Sequence, residues 1–233
     1  MRIGILADSP PAALKIYDVI EAVSDCDIFI LLCRTADKSR WRNCLGHLAR
    51  LLLKGGGPKS LRLLLSRRVL ILQYPLDHPE TVARLKRLKL DVGLHKASAI
   101  YRDPTINAFR LGILNPHIGM LPEYRGRNVM EWALLQGGPV GITVFFIDSG
   151  IDTGERIVLS EEVDISHCSS IEQAKQYLFG LDAVFFRRAL ELLRSEKLEY
   201  KLNDRTVGRR YYVMSNLLQG VVEESLKFLR SGP

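Results

Sequence analysis

Apolar residues recur along this chain in two alternating rhythms. Unbroken runs over Ile3–Ala7, Asp27–Cys33, Val69–Gln73, Asp91–His95 and Leu111–Asn115 read as buried strands. Between them lie stretches with helical spacing. Ala12–Val23 follows Pro10 and Pro11, which suit a helix start. Pro79–Leu90 has Pro and Glu in its first turn and Val82, Leu85 and Leu88 on one stripe. Strands alternating with helices predict a mostly parallel sheet covered by helices, with ligands at the carboxyl ends of the strands. Asn115 falls at such an end.

The later part of the chain changes rhythm. Gly141–Ile147 is a further strand-like run. Ser169-Ser170-Ile171-Glu172 fits a capping box, and Ala174, Tyr177, Leu178, Leu181, Phe185, Ala189 and Leu192 follow as the stripe of one long helix. After Asn203 and Asp204, Arg209–Met214 reads as a strand and Asn216–Arg230 as an amphipathic helix. The segment Trp41–Arg68 interrupts the pattern. Leu45, Leu48, Ala49 and Leu52 form one helical face there, before the flexible Lys54-Gly55-Gly56-Gly57-Pro58. The expected fold is α/β, a Rossmann-like mostly parallel sheet with helices on both faces. Residues 1–200 are expected to form the catalytic domain and 201–233 a small C-terminal strand-helix appendage.

Composition narrows the setting. With 233 residues, 47% hydrophobic and 25% charged, the chain can bury one substantial core. The opening Met1–Asp8 turns polar too soon for a signal peptide and no apolar run spans a bilayer, so a cytoplasmic, non-membrane protein is expected. Cys26, Cys33, Cys44 and Cys168 have neither metal-site nor disulfide spacing, and are expected to be reduced thiols. The net charge of +7 is concentrated: ten basic residues lie between Arg34 and Arg68 against Asp37 alone. A solvated helical face is the first reading of that run, a patch attracting a phosphorylated or nucleotide-linked substrate the second. Contact with nucleic acid or an anionic membrane comes third, because aromatic residues barely interleave the charges.

The chemistry centres on Asn115-Pro116-His117. Residues two apart on an extended chain share a side, so an amide and an imidazole face one spot. Asp152 lies in the Gly-bounded turn Asp148-Ser149-Gly150-Ile151-Asp152-Thr153-Gly154 and adds a carboxylate if the flanking strands are neighbours. Amide, imidazole and carboxylate suit acyl transfer to an amine. Taken singly, His117 reads as a strand-end histidine bonded to backbone, and Asp148 and Asp152 as turn formers.

Several blocks in order argue for the set. Asn115-Pro116-His117, then Leu121-Pro122-Glu123-Tyr124-Arg125-Gly126, then Asp152-Thr153-Gly154 resemble the folate-dependent formyltransferases, over about Leu111–Asp164. Glu131-Trp132-Ala133-Leu134 stands where that family often has Trp-Ala, and Arg125 and Gly126 would shape the site wall. The resemblance implies 10-formyltetrahydrofolate as donor, an uncharged amine as acceptor, and no metal. Asn115 would donate to the oxyanion and His117 would take or return the proton. Asp152 would orient His117, stabilise its protonated form, or accept the amine proton through water. It also implies a pterin pocket lined by Leu94, Ala97 and Ile100, with backbone contacts from Asp148, Gly150 and Ile151. Two departures stand out: Ser9-Pro10-Pro11 replaces the Gly-rich or Ser-rich loop of many members, and His95 and Lys96 fall in a usually apolar stretch.

The short tail after Asn203 and the Asn-Pro-His-Ile-Gly stretch look most like the sugar N-formyltransferases, whose acceptor is the amino group of a nucleotide-linked sugar. A formyltetrahydrofolate hydrolase and a non-catalytic ligand-binding member of the same fold are the alternatives. The expected partners are small molecules and a second copy of the chain through the tail from Arg209, with no nucleic acid and no membrane.

Overall fold

A computed structural model describes residues 1–21, 26–33, 68–195 and 198–231. The basic run from Arg34 to Arg67, its expected helix and Cys44 lie outside the described residues. The chain divides into two compact units, Met1–Leu114 and Asn115–Pro233.

In the first unit the apolar runs become strands β1 (Arg2–Ala7), β2 (Asp27–Leu32), β3 (Val69–Ile71), β4 (Val92–Lys96) and the beginning of β5 (Gly112–His117). They pair in parallel in the order β3-β2-β1-β4-β5. Five of the six residues of β1, and five of six in β2, are buried, which is why these strands read as continuous apolar runs. Helix α1 (Pro10–Ile20) begins two residues before its expected start. Proline lacks only an N–H that the first turn leaves unbonded in any case, so the helix takes both prolines in. Ala13, Ile16, Tyr17 and Ile20 form its buried stripe. Helix α2 (Pro79–Leu88) is capped by His78, whose ring accepts from the Glu80 N–H, and is closed by the left-handed Lys89. The short α3 (Asp103–Ile106) precedes β5.

The second unit is less regular. It holds the end of β5, then β6 (Tyr124–Gly126), α4 (Val129–Leu135), β7 (Gly141–Phe146), β8 (Arg156–Glu162), α5 (Ile171–Gly180), α6 (Asp182–Arg194), β9 (Lys201–Leu202), β10 (Arg209–Tyr211) and α7 (Asn216–Ser231). β7, β8 and β9 pair antiparallel, and β10 pairs parallel with β6. The whole is α/β with a mostly parallel sheet, as expected from the alternation.

Three local expectations change. The stripe over Ala174–Leu192 belongs to two helices. At Leu181 the N–H turns to Leu178 O, and Leu181 O starts the next helix by accepting from Val184 N and Phe185 N. The apolar spacing continues across this break, so the stripe does not reveal it. The cap sits one residue later than the expected frame: Ser170 Oγ accepts from Gln173 N at 3.1 Å, and Gln173 Oε1 accepts in return from Ser169 N at 2.7 Å. The predicted strand Arg209–Met214 is only three residues long, because it pairs with three residues of β6.

Candidate active site

The candidate site belongs to the second unit and starts at the end of β5. His117 is 7% exposed. Its Nε2 lies 2.8 Å from the Tyr124 carbonyl oxygen, which can only accept, so Nε2 carries a hydrogen. Nδ1 is then the nitrogen free to change its proton, and it faces Asp152 Oδ1 at 3.6 Å. The ring is held edge-on to Phe145, with centroids 6.4 Å apart. Gly119 lets the backbone approach the ring, since a Cβ there would come within 2.7 Å of Nε2.

Asp152 adopts the left-handed conformation with φ +54, uncommon outside glycine, and the surrounding bonds hold it there. Its Oδ2 accepts from the Gly126 N–H at 2.9 Å. Asn203, 1% exposed, donates from Nδ2 to the carbonyls of Asp152 and Gly154 at 3.1 and 3.0 Å and so staples the turn. Gly126 is required where it stands. Its φ is +106, and a Cβ would lie 2.2 Å from Tyr211 O in the paired β10.

Thr143, fully buried on β7, fixes the loop before β6. Its hydroxyl donates to Gly119 O at 2.7 Å and accepts from Leu121 N at 3.1 Å. Arg125, 7% exposed, spends its guanidinium on carbonyls: Nη1 donates to Pro122 O and Val207 O at 3.1 and 2.9 Å, and Nη2 to Arg205 O at 3.2 Å. It therefore binds the tail to β6 rather than facing a substrate.

A cavity of about 380 Å³ opens beside these groups. Asn115 and His117 line it together with Asn128, Glu131, Lys175 and Phe179. Asn115 is half-buried, so its amide can serve as a donor to a ligand in the cavity. Glu131 is completely buried on α4 and its Oε1 takes both Lys175 Nζ, at 2.5 Å, and Asn128 Nδ2.

The residues expected to contact a pterin divide between the two units. In the first, Leu94 and Ala97 are buried and Ile100 is 74% exposed. His95 bonds through Nδ1 to the Tyr101 hydroxyl at 2.7 Å. Burial pushes that hydroxyl's pKa well up, with nearby Cys33, Asp8 and Asp77 adding to the shift. In the second, Asp148 Oδ1 accepts from Gly150 N and Thr153 Oγ1, and Oδ2 pairs with Arg205 at 2.7 Å. The Asp148 carboxylate thus shapes the turn, while Gly150 and Ile151 are exposed at its tip.

Residues 76–189 match the family profile described as formyl transferase. The stretch is a formyl transferase domain. A methionyl-tRNA formyltransferase of Bacteroides fragilis is 31% identical over 122 residues, covering 47% of this chain and 37% of that protein. The domain's chain spans under half the length of curated relatives of this kind. A 4-N formyltransferase from Francisella tularensis shares the fold with a TM-score of 0.64 at 14% identity, over 97% of this chain and 87% of that one. The formyltransferase PseJ from Anoxybacillus kamchatkensis, solved with UDP-4,6-dideoxy-4-formamido-L-AltNAc and tetrahydrofolate, matches with a TM-score of 0.54 at 18% identity, over 91% and 85% of the two chains.

Glu131 and Lys175, within the matched stretch, and Asn203, beyond it, are the residues around this site that sequence reasoning missed. Glu131 sits between buried Met130 and Ala133 on a seven-residue helix, where periodicity assigns it no face. A charged residue flanked by apolar ones just after the Arg-Gly block is the signal that was available.

Proposed function

We propose that the chain transfers the formyl group of 10-formyltetrahydrofolate to an amine, most specifically the amino group of a nucleotide-linked sugar. The observation carrying this reading is the pair His117 Nδ1 and Asp152 Oδ1, 3.6 Å apart beside the cavity that Asn115 also lines. When bound, the donor supplies an activated formyl carbon. Asn115 donates from its amide to the oxygen that becomes negative as the amine attacks. The amine proton passes to His117 Nδ1, where Asp152 stabilises the charge, and returns from there to the departing nitrogen. Because Nε2 is committed to Tyr124 O, the whole proton exchange runs through Nδ1.

The nucleotide-sugar acceptor is supported by the likeness to PseJ, whose bound formamido sugar and tetrahydrofolate correspond to the two products of such a transfer. Ile151, beside Asp152, offers an exposed apolar side chain in keeping with a pterin contact. The exposed Tyr212, Val213, Leu217 and Val221 support the reading of the tail as a dimer surface.

The test is mass spectrometry of nucleotide-linked amino sugars incubated with 10-formyltetrahydrofolate and the protein. An acceptor heavier by one CO is expected with the native chain. His117→Ala should lower the rate by about 10²–10⁴-fold while acceptor binding persists. Normal turnover in that variant would remove His117 from the chemistry, and formate release without acceptor would identify a hydrolase instead.

A further inference from the structure

The Glu131 carboxylate is bonded on one side only. Oε1 receives Lys175 Nζ and Asn128 Nδ2, whereas Oε2, shielded from solvent, has no hydrogen-bond partner. Glu131 is 0% exposed, and an unpartnered oxygen of a buried carboxylate is costly. The same residue lines the cavity with Asn115 and His117.

We propose that Glu131 Oε2 is a recognition point for the acceptor, taking a hydrogen bond from a hydroxyl beside the amine that is formylated. This deepens the amino-sugar reading and rests on it for the identity of the acceptor. Charge decides the kind of donor. Lys175 already offsets the charge of Glu131, so an ammonium would bring a second cation against Lys175, while a hydroxyl brings a donor and no charge. A neutral donor also fits the chemistry, which needs the neighbouring nitrogen uncharged. The cavity, about 380 Å³, is at the small end of the ~300–1,000 Å³ typical of small-molecule sites, and Phe179, 48% exposed, supplies an apolar rim. Asn128 fixes the carboxylate's orientation. Its backbone is left-handed, with φ +53, and its Oδ1 also accepts from Met214 N at 3.4 Å, which ties the Glu131 corner to the tail.

The experiment is calorimetric binding without formyl donor, using a UDP-linked 4-amino-4,6-dideoxyhexose with a 3-hydroxyl and its 3-deoxy counterpart. The native protein should bind the 3-deoxy probe about 10–100-fold more weakly, as expected for losing a hydrogen bond to a charged group. Glu131→Gln, whose amide presents a donor in place of Oε2, should bind the two probes with equal affinity. Equal binding of both probes by the native protein would overturn the proposal without recourse to any variant. So would an equal loss for both probes in Glu131→Gln, the pattern of a purely structural residue. Turnover is measured separately with 10-formyltetrahydrofolate. Hydroxyl-dependent binding without formyl transfer would reject the proposed reaction and keep the recognition site; transfer without hydroxyl dependence would do the reverse.

Discussion

Arg125 and Glu131 are buried charges of the same unit, and their surroundings treat them in opposite ways. Arg125 Nη1 and Nη2 both meet carbonyl oxygens, those of Pro122, Arg205 and Val207 among them. Glu131 keeps one oxygen without a hydrogen-bond partner although no part of it is exposed. A buried charge matched by backbone organises the chain around itself. One left partly unmatched carries a free-energy cost that a partner arriving from outside would relieve.

Removing the matched charge should do the greatest damage to the fold. Arg125→Ala strips donors from several carbonyls and is expected to cost about 3 kcal/mol, a fall of roughly 10 °C in Tm for a domain of this size. Thermal unfolding followed by circular dichroism measures this. An unchanged Tm would show that the Arg125 bonds add nothing to stability and would erase the contrast with Glu131.

Asn203→Ala probes the middle ground, a buried amide that serves both the fold and the site. A loss of about 1–2 kcal/mol is expected, together with lowered formyl transfer at constant donor KM, because the turn carrying Asp152 loses its staple. Lost stability with full activity would show that Asp152 keeps its place without the tail. The smallest effect is expected at the cap of α5, which carries Lys175 to Glu131. Ser170→Ala should cost about 1 kcal/mol and Ser169→Ala less, since only Ser170 Oγ caps the helix. The reverse order in urea unfolding would restore the cap to the frame read from sequence.

Among the described residues of the first unit the strands were largely legible, because the central parallel strands, buried on both faces, leave unbroken apolar runs, and only the strand ends moved by a residue or two. The pairing of Asn115 with His117 was legible for an equally local reason, the two-residue period of a strand. What escaped depends on distant partners. β6 has three residues, Tyr124-Arg125-Gly126, and exists only through β10, more than eighty positions later. The roles of Asn203 and Glu131 depend on which atoms they meet, and composition and spacing carry no record of that. The break at Leu181 escaped because two helices in sequence can share one apolar stripe.

The pairing of β10 with β6 also orders events in time. Chains are synthesised from the N-terminus and their parts begin to fold in that order. Asn115, His117 and Asp152 are all made before Arg209–Tyr211, whose ladder holds Gly126 and with it the N–H that Asp152 accepts. A nascent chain therefore carries Asn115, His117 and Asp152 before residues 209–211, the strand that pairs with β6, exist. The hydrogen bond from the Gly126 N–H to Asp152 Oδ2 thus joins a turn to a strand whose pairing partner is made late.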